Sequence, residues 1–132
     1  MRRATMAAAT HPDPDPDPDP GPDADGAEGP LGTTLRAGTV VACRANPKAR
    51  RPALVLEIDL GPLGIRTSSA QLTRHYDESS LVGRQVVVAT DLGSRLIAEV
   101  RSEVLVLGLP DDQGETRLLV PDAPVPNGGV VH

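Results

Sequence analysis

Residues 53–68 read Ala53-Leu54-Val55-Leu56-Glu57-Ile58-Asp59-Leu60-Gly61-Pro62-Leu63-Gly64-Ile65-Arg66-Thr67-Ser68. Leu54, Leu56, Ile58 and Leu60 alternate with Ala53, Val55, Glu57 and Asp59. Successive side chains of a strand point to opposite faces, so this period of two predicts a half-buried β-strand. Gly61-Pro62-Leu63-Gly64 then supplies the residue types of a tight turn. A third strand is expected beyond it, with Leu63, Ile65 and Thr67 inward and Arg66 and Ser68 outward. The middle of the chain therefore reads as an antiparallel hairpin.

Working outward from that hairpin, a first strand is expected over Leu35 to Arg44, with Val40 and Ala42 on one face and Val41 and Cys43 on the other. Asn46-Pro47-Lys48 follows, where proline interrupts pairing. From Ser69 to Tyr76 the alternation stops, and the stretch predicts a short helix capped by Ser69, with Leu72 packed down and Arg74 and His75 near its carboxyl end. A fourth strand reads Gln85 to Ala89. After a longer excursion from Asp91 to Ser102 comes Val104-Leu105-Val106-Leu107. Five strands with a helix between the third and fourth predict an all-β, five-stranded OB-fold barrel.

The stretch before the barrel is different. Pro12 to Pro20 is a strict Pro-Asp alternation, and residues 1–30 have almost no large apolar side chains. Such a segment cannot bury enough surface to offset its ordering entropy, so residues 1–32 are expected to be a disordered, partly polyproline-II leader before a domain at 33–132. Of eighteen acids and thirteen bases, seven acids (Asp13, Asp15, Asp17, Asp19, Asp23, Asp25, Glu28) and two bases (Arg2, Arg3) fall in the leader. That leaves eleven of each in the remainder, so the whole formal charge of −5 resides in the leader. Met1-Arg2-Arg3 is followed by no apolar run long enough for a signal peptide or membrane span, and a soluble, cytoplasmic protein without a membrane partner is expected.

Cys43 is the only cysteine, which rules out an intrachain disulfide and a cysteine-built metal site. It is expected to act as a small buried hydrophobe. There is no Phe or Trp, and Tyr76 is the single aromatic residue, so Val, Leu and Ile must build the core. The run Val104, Leu105, Val106 and Leu107 lacks polar alternation, which demands cover on both faces. A second subunit is the expected cover, making these four residues a dimer interface, with the terminal segment Thr116 to Val131 as the competitor.

Several stretches resemble a known family. Leu35-Arg36-Ala37-Gly38-Thr39-Val40 is similar to the opening strand of tRNA-binding domains, and Asp59-Leu60-Gly61 to the end of their second strand. Ser68-Ser69-Ala70-Gln71-Leu72-Thr73, Ser102-Glu103-Val104-Leu105-Val106-Leu107-Gly108 and Pro121-Asp122 with Pro124-Val125-Pro126-Asn127-Gly128 resemble the CsaA branch of that family. The resemblance covers nearly all of Leu35 to His132 in unbroken order. It implies an OB fold, a homodimer, no catalysis, tRNA as a partner, and for this branch a chaperone-like binding of unfolded or exported proteins. The chain departs from the branch's pattern where Leu92-Gly93-Ser94 stands for a Phe-Pro-Pro stretch, and at four ligand-face positions: Val55 stands for a lysine with Glu57 on the same outward face, Asp91 for an asparagine, and Leu96 for a basic residue beside Arg95. Each removes positive charge or an amide from the ligand face.

An OB barrel binds nucleic acid across its second and third strands, between the first-to-second and fourth-to-fifth loops. Arg44, Lys48, Arg50 and Arg51 fall in the first of those loops, Arg95 and Arg101 in the second, and Arg66 on the strand face. Arg74 and the polar Ser68, Ser69, Gln71 and Ser102 lie near the barrel mouth, where they either hydrogen-bond a ligand backbone or serve local caps. These twelve residues are the candidate RNA-binding set, for tRNA or other structured RNA. With one aromatic residue, base stacking is nearly unavailable, so weak shape-directed binding is expected over sequence reading. His75, Asp77 and Ser69 do not form a nucleophile-base-orienter set at their spacing, and no acid pair or glycine-rich phosphate loop points to catalysis, a cofactor or a metal.

Overall fold

The computed structural model describes residues 31–72 and 74–132. The expectation of a disordered leader falls almost wholly on residues 1–30, outside the described residues. The chain forms β1 (Leu35–Ala45), β2 (Leu54–Asp59), a one-turn 3-10 helix (Gly61–Leu63), β3 (Ile65–Ala70), α1 (Glu78–Leu81), β4 (Gln85–Ala89), β5 (Arg95–Ile97), β6 (Val100–Ser102), β7 (Leu105–Val106), β8 (Gly108–Pro110) and β9 (Thr116–Leu118). The main sheet has the order β3-β2-β1-β4-β7, every pair antiparallel. It curls until its edges nearly meet: the Glu103 and Val104 amides both donate to the Thr67 carbonyl, at 2.7 and 3.3 Å. This is the expected five-stranded barrel with one short helix between β3 and β4.

The interior is aliphatic. Leu54, Leu56, Ile58 and Leu60 from β2 and its end meet Val40, Ala70, Leu72, Leu81, Val86, Val88, Val104 and Val106 in one buried cluster. The β2 alternation is therefore as the sequence indicates. The first strand is not, because β1 carries a bulge. Pairing jumps from Val40↔Ile58 to Ala42↔Glu57, which leaves Val41 unpaired and exposed. An extra residue reverses the phase beyond it, so Cys43, opposite Leu56, packs on the same core as Val40. Burial, followed by the nearby Glu78 and Asp77, pushes the Cys43 thiol up from 9.0 to about 11, which keeps it an inert hydrophobe.

Two local expectations are corrected. In β3, Ser68 pairs with Leu56 and is buried on the core side, whereas Ile65 is 57% exposed. Ile65, Thr67 and Ser69 face outward with Asp59, Glu57 and Val55 as their cross-strand partners, the opposite phase to the one expected. The short helix also starts later than Ser69, which belongs to β3. Asp77 caps α1: its Oδ1 accepts from the Ser80 amide at 2.8 Å, and the Ser80 hydroxyl meets the Asp77 amide at 3.0 Å. This reciprocal pair is a capping box, and it lets a four-residue helix seat Leu81 in the core.

The apolar run after β6 finds its cover inside the chain. Val104, Leu105 and Val106 are all buried in the single chain. Val106 pairs with Val88, the Leu107 amide donates to the Val87 carbonyl at 2.9 Å, and Leu119 bridges both strands, donating to Leu107 and accepting from Val87. Val104, Leu105 and Val106 are thus buried within one chain, with Leu119 of the terminal segment hydrogen-bonded beside them, while Leu107 is half-buried. Further on, the same segment lies along β1 where β2 stops. The Gly128 amide donates to Ala37, the Ala37 amide to Gly129 and the Val131 amide to Leu35. Gly128 has φ +90°, and a Cβ there would stand 2.6 Å from the Leu60 carbonyl oxygen; only glycine permits this approach.

The β8–β9 hairpin is held by Asp111. Its Oδ1 accepts from the amides of Gln113 and Glu115, and its Oδ2 lies 2.9 Å from His75 Nε2. The Glu115 amide, then His75 and the Gln113 amide, hold the carboxyl down against desolvation, from 3.8 to about 2. A depressed carboxylate contributes stability above its unfolded value and loses it as pH falls through the folded one. The Gln113 and Glu115 amides are therefore expected to keep their hydrogen-exchange protection relative to the core at pH 5 and lose it progressively from about pH 4 to about pH 2. Uniform protection down to pH 2 would show that Asp111 does not latch this turn.

Candidate nucleic-acid interface

The outer face of β2–β3 lies between two loops, as in other OB barrels. The β1–β2 loop is built around Asn46, which is buried although polar. Its amide donates to the Ala53 carbonyl at 3.0 Å, its Oδ1 accepts from the Lys48 amide at 3.0 Å, and its Nδ2 reaches the Ala98 carbonyl at 3.5 Å. The last contact joins the loop to the tip of the β5–β6 hairpin. Pinned in this way, the loop presents Lys48, Arg50 and Arg51 beside Arg44 near the end of β1, where it pairs with Val55; all four are exposed. None of the four enters an ion pair among the described residues.

The second loop is the β5–β6 hairpin, which turns through Ala98 and Glu99 at φ +46° and +69°. It packs on β3, where Ser102 Oγ accepts from the Ser69 amide at 3.0 Å and donates to the Val104 carbonyl at 3.2 Å. Beneath it the cross-strand pair Val55 and Ser69 is almost fully buried. Ser69 Oγ is the single buried side-chain polar atom without a hydrogen-bond partner among the described residues. A buried hydroxyl left unpaired costs about 1–3 kcal/mol, so it is conspicuous here.

The candidate residues divide into two groups. Arg44, Lys48, Arg50, Arg51, Arg74 and Arg95 are exposed, and Gln71 is half-buried. By contrast, Arg66 is committed to the fold: its Nη1 meets Glu103 Oε2 at 3.1 Å and its Nε donates to the Leu63 carbonyl at 3.0 Å. Arg101 donates to the buried Ser94 hydroxyl at 3.0 Å. Ser68 Oγ lies inside the barrel, 3.4 Å from the Val106 amide, and Ser102 fastens β3 to β6. The departures at Val55 and Asp91 also take structural roles, Val55 under the hairpin and Asp91 accepting from Thr33 Oγ1 at 2.7 Å and the Thr34 amide at 3.0 Å. Glu57 remains exposed on the ligand face.

Two contributions went unread in the sequence. Asn46 is the residue that fixes the basic loop, and the Asn-Pro-Lys turn signal was its only trace. Tyr76 is not a stacking platform: its hydroxyl accepts from the Leu118 amide at 3.0 Å, and the Arg84 guanidinium sits 5.5 Å from its ring centre. Among the described residues no cluster of His, Cys, Asp and Glu could hold a metal ion. No helix there is long and apolar enough to cross a membrane.

Residues 35–129 match the family described as "Putative tRNA binding domain". The chain belongs to this tRNA-binding-domain family. Among solved structures it is similar to chaperone CsaA from Bacillus anthracis, with 41% identity and a TM-score of 0.73, over 77% of this chain and 93% of that one. The CsaA chaperone protein from Picrophilus torridus is 31% identical, with a TM-score of 0.71 over 76% and 92% of the two chains. A methionine–tRNA ligase of Porphyromonas gingivalis is 37% identical over 97 residues, which are 74% of this chain and 14% of the ligase. The chain thus spans 14% of the length of the curated ligases it matches. It is a CsaA-like member of the tRNA-binding domains.

Proposed function

We propose that the chain is a non-catalytic cytoplasmic module that binds tRNA, or another structured RNA, by its phosphates. The β1–β2 loop is the principal contact, flanked by Arg95 and Arg74. The observation that carries this reading is the set of four exposed cations without ion-pair partners among the described residues, held by Asn46 beside the outer face of β2–β3. With Tyr76 occupied and Glu57 on the face, the affinity is electrostatic and shape-directed, and bases are not read.

Four phosphate contacts give a salt slope of about −3.6, or about a hundredfold loss between 0.05 and 0.2 M salt. Titration of fluorescently labelled tRNA at those two concentrations is expected to show that fall. A salt-independent affinity, or none at 0.05 M, would remove the reading.

A second reading is a chaperone-like binder of unfolded or pre-secretory polypeptide. It is supported by the similarity to the two CsaA proteins and by a groove of about 540 Å³ between the start of β4 and the terminal segment, where Val120 and Val125 are exposed. Failure to suppress aggregation of an unfolded client would dispose of it. A homodimer belongs to both readings. With Val104 to Val106 already buried, the exposed Leu109, Leu119 and Val120 are among the apolar side chains that remain for a second copy.

A further inference from the structure

We propose that the β5–β6 hairpin is a lid over one end of the β2–β3 face, and that lifting it opens a subsite where the Ser69 hydroxyl receives an RNA ribose through its 2′-hydroxyl. The inference rests on the RNA-binding reading and adds to it a preference for RNA over DNA. Its first support is the exposure along the outer ladder. The outward pairs Ile65 with Asp59 and Thr67 with Glu57 reach solvent, whereas Val55 and Ser69 are each 1% exposed. The hairpin lies over that end. Ser102 of β6 accepts from the Ser69 amide at 3.0 Å, and Ile97 of β5 is buried although it stands outside the barrel's interior cluster.

The second support is the unpaired hydroxyl and its neighbours. Ser69 Oγ is buried without a hydrogen-bond partner among the described residues, a cost that the closed hairpin imposes and that water or a ligand would remove. A serine hydroxyl both donates and accepts, as does a ribose 2′-hydroxyl. Arg44, Val55 and Ser69 are successive cross-strand partners on β1, β2 and β3. Residues directly opposite each other share a face, so the three form one row about 10 Å long at the strand spacing. With the lid raised, the row offers a cation for a phosphate, an apolar surface for a sugar ring and a hydroxyl for its 2′ oxygen.

The third support is how the hairpin is attached. β5 and β6 pair with each other and belong to no strand ladder of the main sheet. The hairpin therefore moves as a body without breaking that sheet. Ser102 Oγ latches it to the Ser69 amide, and Asn46 Nδ2 holds the Ala98 carbonyl at 3.5 Å, the long limit of a hydrogen bond. Its two ends are pinned more firmly. Asp91 accepts from Thr33 and Thr34, and Glu103 accepts from Arg66 and the Thr67 amide. Between the first pin and β5 stands Gly93 at φ +78°, a natural hinge position. Because Asn46 also accepts from the Lys48 amide, phosphates that draw on the basic loop act on the same latch.

The test compares the full chain with Ser69→Ala by hydrogen exchange and by binding. In the free protein the Ser69 amide is expected to exchange at least about tenfold faster than the Val40 amide, which is bonded to the Arg84 carbonyl, and with little dependence on denaturant. The variant removes the unpaired hydroxyl from the closed state, so its melting temperature is expected to rise by about 4 °C or more. Both proteins are then titrated at about 0.05 M salt with labelled tRNA and with a DNA oligonucleotide of the same sequence. The variant is expected to lose about three- to tenfold in tRNA affinity and nothing on DNA. Exchange of the Ser69 amide only through global unfolding would overturn the lid. Unchanged tRNA affinity, or equal losses on tRNA and DNA, would overturn the ribose contact and leave the RNA reading intact. A wild-type chain that binds neither polymer would defeat the RNA reading and the subsite together.

Discussion

Replacing Arg44, Arg50 and Arg51 together by alanine is expected to cost about a thousandfold in tRNA affinity at 0.05 M salt. Each lost phosphate contact removes a factor of roughly ten at that concentration, and the salt slope should flatten from about −3.6 to about −1. The three side chains are exposed and enter no ion pair among the described residues, so stability should change by no more than about 0.5 kcal/mol per site. Arg66→Ala is the informative contrast. Glu103 already neutralises that guanidinium at 3.1 Å, so its loss should leave the salt slope nearly unchanged and act on the fold instead. Salt-titrated fluorescence anisotropy with a parallel thermal melt separates the two. A triple variant with wild-type affinity would show that the loop is not where RNA binds.

The contrast between Arg51 and Arg66 marks what sequence could and could not convey. Clustered bases in a loop are visible in one dimension. Whether a given base is free depends on a partner that can be far away, and Glu103 lies 37 positions from Arg66. The strands were legible because β2 keeps its alternation from Leu54 to Leu60, with Leu54, Leu56, Ile58 and Leu60 all in the core. β3 was read in the wrong phase because its polarity runs against its burial. Ser68 is inside, held in register opposite Leu56, and Ile65 is outside beside the turn. Register with a stronger neighbour overrides the pattern of a weak strand.

Local chemistry explains the remaining misreadings. Asp77-Glu78-Ser79-Ser80 carried a cap signal that Ser69 appeared to offer eight residues earlier. The β5–β6 hairpin went unseen because Ala98 and Glu99 make its turn at positive φ, where glycine or asparagine would have announced it. The bulge at Val41 reverses the strand's phase without any proline or glycine at the step. Of the site, the β1–β2 loop was legible and its anchor was not. Asn46 works by being buried, and burial of a loop asparagine is a tertiary fact.

The second large effect concerns the terminal segment and decides how the apolar run after β6 is covered. Truncating the chain after Leu118 removes the Leu119 bridge between Leu107 and Val87 and three hydrogen bonds along Leu35–Ala37. It also removes Gly128 and Asn127, whose carbonyl and Oδ1 accept from Arg36 at 2.8 Å and Thr39 at 2.8 Å. At about 0.5–1.5 kcal/mol net for each of these bonds, the loss is several kcal/mol before any apolar burial is counted. A domain of this size has about 5–15 kcal/mol in total, so the truncated protein should melt at least about 15 °C lower or fail to fold at 37 °C. If Val104, Leu105 and Val106 were instead covered by a second subunit, truncation would leave a folded dimer with a melting point near that of the full chain. Thermal unfolding with sedimentation on the same sample reads both outcomes. The two-strand bridge made by Leu119 argues for the first: a segment that completes the hydrogen bonding of β1, β4 and the residue after β7 is part of the barrel wall, and a partner chain would have to displace it to reach the same residues.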